Sequence, residues 1–466
     1  MNEVSLPNNK MAYRPVGRLL LTMALPTMAS MIVQAMYNIV DSIFIARIGE
    51  EALTAVSLAF PIQMLMISAG TGTAVGVNSL LSRRLGEKRR QDAELVAGNS
   101  LFLAFSLWTV FAIIGLVFVE PFFGIFTDNT AIAPLGIAYT RICTIASLGI
   151  FGQIISERIM QATGDTVRPM LVQLTGAIIN LILDPLLIFG LAGFPKLGVT
   201  GAALATVIGQ WIAMSIGFIM LKRHQEHVSI KLHNIKPNWP IIKEIYKVGL
   251  PSIIMQSIGS VMTVGMNKIL IAFSATAVSV FGVYFKLQSF VFMPVFGITL
   301  AMIPIVGFNF GARNPQRIAK AVKTAALMAF TIMSAGLLMF QLLPEFLLSL
   351  FDASADMYQL GIRALRIISL HFPLAAIAIM FSSSFQAIGK GMYSLILSLV
   401  RQLVFLLPSA YILAQIDGLN AIWFAFIISE VVSVSMATMM FINVYRKKIK
   451  PLSAHQGDIS QIKSVQ

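Results

Sequence analysis

Gln161-Ala162-Thr163-Gly164 returns 225 residues later as Gln386-Ala387-Ile388-Gly389. The same offset carries Leu25-Pro26 onto Leu250-Pro251, Gly86 onto Gly311 and Gln91 onto Gln316. The chain is therefore a tandem duplication, and both copies are too apolar to sit in water. A repeated, membrane-embedded body points to a two-lobed transporter architecture.

Composition supports that reading. With 57% apolar and 12% charged residues, there is too little polar surface to cover a soluble protein of this size. Crossing a bilayer takes about 20 apolar residues, and the sequence predicts such runs at 17–46, 52–81, 94–118, 134–159, 168–191 and 199–221. The second copy supplies 243–273, 277–309, 318–341, 357–386, 391–415 and 419–444. The predicted fold is an all-α polytopic membrane protein of twelve transmembrane helices in two pseudo-symmetric six-helix bundles. Six spans per copy is an even number, so both copies enter from the same side and the lobes are parallel. The expected organisation is an N-terminal lobe over 1–221, a cytoplasmic linker over 222–242, a C-terminal lobe over 243–445 and a cytoplasmic tail over 446–466.

Charge sets the orientation. The even-numbered connections, the two tails and the adjoining turns hold 26 of the 34 Lys and Arg, whereas the odd-numbered connections hold only Arg47 and Lys196. Both termini are thus expected in the cytoplasm of a plasma-membrane protein. The net charge of +14 is then mostly topological, and nucleic acid is not an expected partner despite Arg83, Arg84, Lys88, Arg89 and Arg90. No removable signal peptide is expected, since the first span itself directs insertion.

Other chemistry finds little support. Cys143 is the sole cysteine, so no intramolecular disulfide can form. His224, His227 and His233 read as solvated basic linker rather than a metal site, because no Cys or Asp joins them. His371 stands alone near the middle of span 10. Phosphate-loop, catalytic-triad and zinc patterns are all missing, so no enzymatic activity and no cofactor is expected. Uphill transport would have to draw on an ion gradient.

Ionisable residues inside a span are costly and are functional candidates by default. Asp41 lies in the outer half of span 1, where Gln34, Tyr37 and Asn38 share its helical face. Asp184 lies at similar depth in span 5, with Asn180 one turn earlier. If spans 1 and 5 face each other, two acids and two amides make an oxygen-rich pocket. Two carboxylates in a low-dielectric site cannot both stay ionised cheaply, so the pair can take up a proton near neutral pH. Alternatively, Asp41, Asn180 and Asp184 could hold a sodium ion. The bland alternative is that both acids cap helix ends near the interface.

The second copy departs from this pattern, with Met266 and Ser409 at the repeat positions of the two acids. It carries Lys286, Arg401 and Glu430 instead. Arg401 and Glu430 fall near mid-span and could pair as structural glue or act in gating or substrate contact. Pro26, inside span 1, should weaken or bend that helix and is a candidate hinge. Met31, Met64, Met255, Met262 and Gln288 are candidate cavity residues for flat apolar compounds.

Together, Tyr37-Asn38-Ile39-Val40-Asp41-Ser42-Ile43-Phe44, Leu183-Asp184-Pro185-Leu186-Leu187-Ile188-Phe189-Gly190, Gly201-Ala202-Ala203-Leu204-Ala205-Thr206, Lys286-Leu287-Gln288-Ser289-Phe290 and the paired Gln-Ala-x-Gly segments resemble the multidrug and toxic compound extrusion (MATE) family. The likeness runs from about residue 15 to 445, and is greatest to the branch named for a DNA-damage-inducible membrane protein. It implies a V-shaped pair of six-helix bundles that export amphipathic organic cations against inward proton or sodium flow. It also implies a first-lobe ion network of Asp41, Asp184 and Asn180, with Gln34, Tyr37, Asn38 and Tyr139, and a polar residue early in span 6, either Thr200 or Thr206. Another branch of the family has carboxylates deep in helices 7 and 8. Here the only acid in those spans is Glu244, at one end, which argues against a second-lobe sodium site.

The mechanism expected from this resemblance is alternating access, in which cation and cargo compete for one negative charge. The transporter is expected to work as a monomer. The rival is a lipid-linked sugar flippase of the same broad superfamily, which would need a basic cavity; Lys286 and Arg401 keep it open. A major facilitator carrier lacks its usual pattern in residues 82–94, and a channel lacks a ring of repeated filter residues.

Overall fold

The computed structural model describes residues 9–223, 228–229, 232–351 and 353–453. His224, His227 and the tail after residue 453 lie outside the described residues. The described chain is helical throughout and contains no strand.

Ten helices are each long and apolar enough to cross a membrane. They are Val16–Ala46, Glu50–Gly86, Arg90–Val117, Val167–Phe189, Val199–Arg223, Trp239–Ile271, Ala275–Gly311, Pro315–Leu342, Gly391–Ile422 and Ala425–Leu452. Two further spans are broken: Ile132–Ile145 with Leu148–Ala162, bent by 44°, and Ala355–Ser369 with Phe372–Ala387, bent by 46°. In chain order these are spans 1 to 12, with the broken pairs as spans 4 and 10.

Both breaks differ from the continuous helices predicted over 134–159 and 357–386. A break leaves carbonyls without their helical partners, and these must be satisfied from elsewhere. In span 4 two indoles do so: Trp108 Nε1 donates to the Ile145 carbonyl at 2.7 Å and Trp211 Nε1 to the Ala146 carbonyl at 3.0 Å. In span 10, Pro373 is the second residue of the new half, where its missing N–H costs nothing. Gln341 Nε2 donates to the Arg366 carbonyl at 2.7 Å.

Packing divides the chain into two units that do not follow the sequence halves. Among the described residues, unit 1 comprises Asn9 and those of 29–253; unit 2 comprises those of 10–28 and 254–453. The first half of span 1 thus packs with the second repeat, and the first half of span 7 with the first repeat. A cut at 222–242 separates the repeats but not the packed units.

Close backbone approach fixes this exchange. A Cβ on Gly72 of span 2 would lie 2.4 Å from the Ile253 side chain, and one on Gly297 of span 8 would lie 2.6 Å from Met28 Cα. Gly297 is the repeat partner of Gly72, and Ile253 that of Met28. Only a residue without a side chain lets the helices meet so closely. Polar groups reinforce both crossings. In unit 1, Arg84 reaches Glu244 at 2.7 Å. In unit 2, Thr27 Oγ1 donates to the Gly297 carbonyl at 2.7 Å, and Arg317 donates to the carbonyls of Met11 and Arg14 at 2.9 and 2.7 Å. Pro26 lies inside a helix that runs unbroken from Val16 to Ala46.

Candidate ion-coupling site

Spans 5 and 6 form the frame of the site in unit 1. Their close contact depends on Gly209, where a Cβ would lie 2.9 Å from the Gly176 carbonyl and 3.4 Å from Asn180 Cβ. That approach lets Asn180 Nδ2 reach Thr206 Oγ1 at 3.2 Å and, on its own helix, Asp184 Oδ1 at 3.4 Å. Of the two threonines considered from the sequence, Thr206 is the one joined to Asn180. Tyr37 of span 1 is half-buried.

Asp184 is fully buried and Asn180 nearly so, while Asp41 is half-buried. The two carboxylates interact electrostatically. Spans 1 and 5 do face each other, since Gln173 Nε2 of span 5 donates to Gln34 Oε1 of span 1 at 2.9 Å. Asp41 Oδ1, Asp184 Oδ2 and Asn180 Oδ1 are buried and have no hydrogen-bond partner among the described residues. Leaving such atoms unpaired is costly. Two carboxylates with amide and hydroxyl oxygens suit a proton or a hard monovalent cation better than a soft metal.

An apolar cluster seals one end of this group. Ile45 and Ile188, one turn beyond Asp41 and Asp184, both belong to it, with Ala202, one turn from Thr206, and with Phe123, Tyr139 and Cys143. Tyr139 turns its hydroxyl away from apolar contact to accept from Gln63 Nε2 at 3.0 Å. Cys143 is buried in the same cluster.

Not every residue predicted on the Asp41 face joins the group. Asn38 is exposed, and its carbonyl accepts from Ser42 Oγ at 2.8 Å. Three residues before Asp41 it is rotated about 60° from the carboxylate, enough to leave the buried side. Gln34 lies two turns away and is exposed, paired with Gln173 rather than with an acid. Gln63 was not predicted, because span 2 shows no polar face to mark it. Glu157 and Arg158 were also missed. Both are buried in the second half of span 4, where Glu157 accepts from Gln153 at 3.0 Å and Arg158 donates to Gln161 at 2.6 Å. Their position near a predicted span end hid their burial.

In unit 2, Arg401 meets Glu430 at 3.4 Å. Lys286 is exposed and stands 5.8 Å over the Phe351 ring. Met31, Met64, Met255 and Gln288 are half-buried and Met262 is buried. Gln386 Nε2 lies 3.8 Å from Met255 Sδ.

The MatE family profile matches residues 26–186 and again 251–412, the two copies seen in the repeat. The chain belongs to the MatE family. Its members are transporters, and this chain is a multi-pass membrane transporter rather than an enzyme. A FAD transporter of Shewanella oneidensis is 28% identical over 415 residues, 88% of this chain and 91% of the relative. The multidrug export protein MepA of Staphylococcus aureus is 23% identical over 436 residues, 93% of this chain and 95% of the relative. A solved structure described as the outward-facing conformation of a multidrug resistance MATE family transporter of the MOP superfamily is 29% identical. It has a TM-score of 0.89, with 97% of this chain and 100% of that chain covered.

Proposed function

We propose that this MATE transporter exports amphipathic, mostly cationic organic compounds across the plasma membrane, with both termini cytoplasmic, by antiport with protons or sodium ions at Asp41 and Asp184. The observation that carries this reading is the set of three unpartnered buried oxygens on Asp41, Asn180 and Asp184. A sodium ion can take all three as ligands, a proton on one carboxyl can be shared with a second oxygen, and a cationic cargo competes for the same charge. Binding draws Asp41 of span 1 toward Asp184 of span 5. Asn180 and Thr206 hold Asp184 in place, and Pro26 supplies the weak point at which span 1 can respond.

The test is dye efflux from proteoliposomes under separately imposed proton and sodium gradients, with wild type, Asp41→Asn and Asp184→Asn. One gradient should drive the wild type and neither should drive the variants. Unchanged efflux in both variants would overturn the reading.

The likeness to the FAD transporter favours a second reading, in which the cargo is a bulky dinucleotide. Competition of dye efflux by internal FAD separates the two cargo classes. The lipid-linked sugar flippase falls behind. Of the two cations it would need, Arg401 is turned to Glu430 and Lys286 lies over Phe351.

A further inference from the structure

Spans 8, 10, 11 and 12 gather four polar side chains inside unit 2. Tyr284 Oη and His371 Nε2 are 3.1 Å apart. His371 Nδ1 is 3.5 Å from Glu430 Oε2, and the same oxygen is 3.4 Å from Arg401 Nη1. Tyr284 is 0% exposed, Glu430 2% and His371 4%. The rings of Phe292, Phe372 and Phe426 surround the imidazole, with centroids 6.1, 5.2 and 5.9 Å away.

A structural Arg–Glu pair has no need of a histidine. Yet His371 Nδ1 and Glu430 Oε1 are both buried without a hydrogen-bond partner among the described residues, and leaving such groups unpaired is costly. With Nε2 protonated, a second proton on Nδ1 turns the 3.5 Å approach to Glu430 Oε2 into an ion pair. The imidazolium keeps Nε2 as the donor to the Tyr284 oxygen. The group passes from no net charge to one positive charge, and no other bond changes.

Other charges keep their distance from the imidazole. Span 9 carries Arg317, Lys320 and Lys323 within its first turns, and at the level of His371 it offers the Phe340 ring against Phe372. Lys286 of span 8 is taken up over Phe351. Arg363 and Arg366 lie on the other half of span 10, before the break. The segment Gly391–Leu399 of span 11 carries no charge. Arg401, with 28% of its side chain exposed, is the least buried member of the group.

We propose that the His371–Glu430 pair, bracketed by Tyr284 and Arg401, is a second proton-binding site of this transporter. Its role in coupling rests on the proton-exchange reading given above, but its chemistry does not. A ring carried on the break of span 10 also moves with any change in that bend.

Two measurements on the full-length protein test it. The chain has five histidines, and nitrogen-15 histidine NMR of the reconstituted protein should show one imidazole signal, lost in His371→Gln, that passes from the neutral to the protonated form as the pH is lowered. Tyr284→Phe, which removes only a hydroxyl, should move the same signal and assigns it if His371→Gln does not fold. In proteoliposomes with the membrane potential clamped at zero, each coupled proton multiplies the limiting dye gradient by about tenfold per pH unit. Wild type should reach about a hundredfold and His371→Gln about tenfold. A ring that stays neutral at every pH, or a His371→Gln protein with the full wild-type gradient, overturns the proposal. Asp41→Asn and Asp184→Asn proteins that keep the full gradient while His371→Gln loses it would refute the first-unit site and leave this one standing.

Discussion

The two units share a frame and differ in what it holds. Gly72 and Gly297 sit at equivalent positions and each receives a half-helix from the other repeat. At the positions of Asp41 and Asp184, however, the second repeat has Met266, fully buried, and Ser409. Its polar groups gather elsewhere, around Glu430. Duplication has kept the backbone contacts, where any added atom collides, and let the polar interior diverge, where a charge needs only a local partner.

The largest difference between the units should appear in transport. Asp41→Asn or Asp184→Asn should cut gradient-driven efflux at least about tenfold, the effect of losing one interaction of roughly 1.4 kcal/mol, whereas Met266→Leu in the other unit should leave it near wild type. Equal losses at Met266 would break the comparison.

Stability sharpens it from the other side. Arg401→Leu leaves the buried Glu430 carboxylate without its cation and should cost about 3–5 kcal/mol. The double replacement Arg401→Leu with Glu430→Leu should recover most of that. Denaturation in detergent, followed by near-ultraviolet circular dichroism, measures both. Failure of the second change to rescue the first would mean that the pair does more than neutralise itself.

The shared frame predicts symmetry instead. Gly72→Ala and Gly297→Ala each force a Cβ into space already filled, and each should cost about 1–3 kcal/mol. Strongly unequal costs would show that the two crossings are not equivalent. The smallest effect is expected at the break of span 4, where Trp211→Phe removes one hydrogen bond and should cost about 1 kcal/mol in the same assay.

How much of this was legible depended on whether a feature is local. The spans follow from runs of apolar residues, and the family likeness from ordered segments such as Leu183-Asp184-Pro185, so both could be read directly. Asp41 and Asp184 stood out because a carboxylate in a span has few bland explanations. The break after Ile145 could not be read, since neither Pro nor Gly marks Ala146 and Ser147; it is stabilised by Trp108 and Trp211 from other spans. Gln34 and Asn38 show the limit of helical periodicity, which gives a direction around one helix but not the edge of its buried strip. His371 was visible only as a lone residue, because its polar partners, Tyr284 and Glu430, come from two other spans.

The exchange of half-helices carries an evolutionary consequence. A single ancestral repeat would have had a first helix whose leading half found its groove only in a second copy of the same polypeptide. On that geometry a lone repeat lacks a complete groove for its own first helix, and two copies supply it to each other.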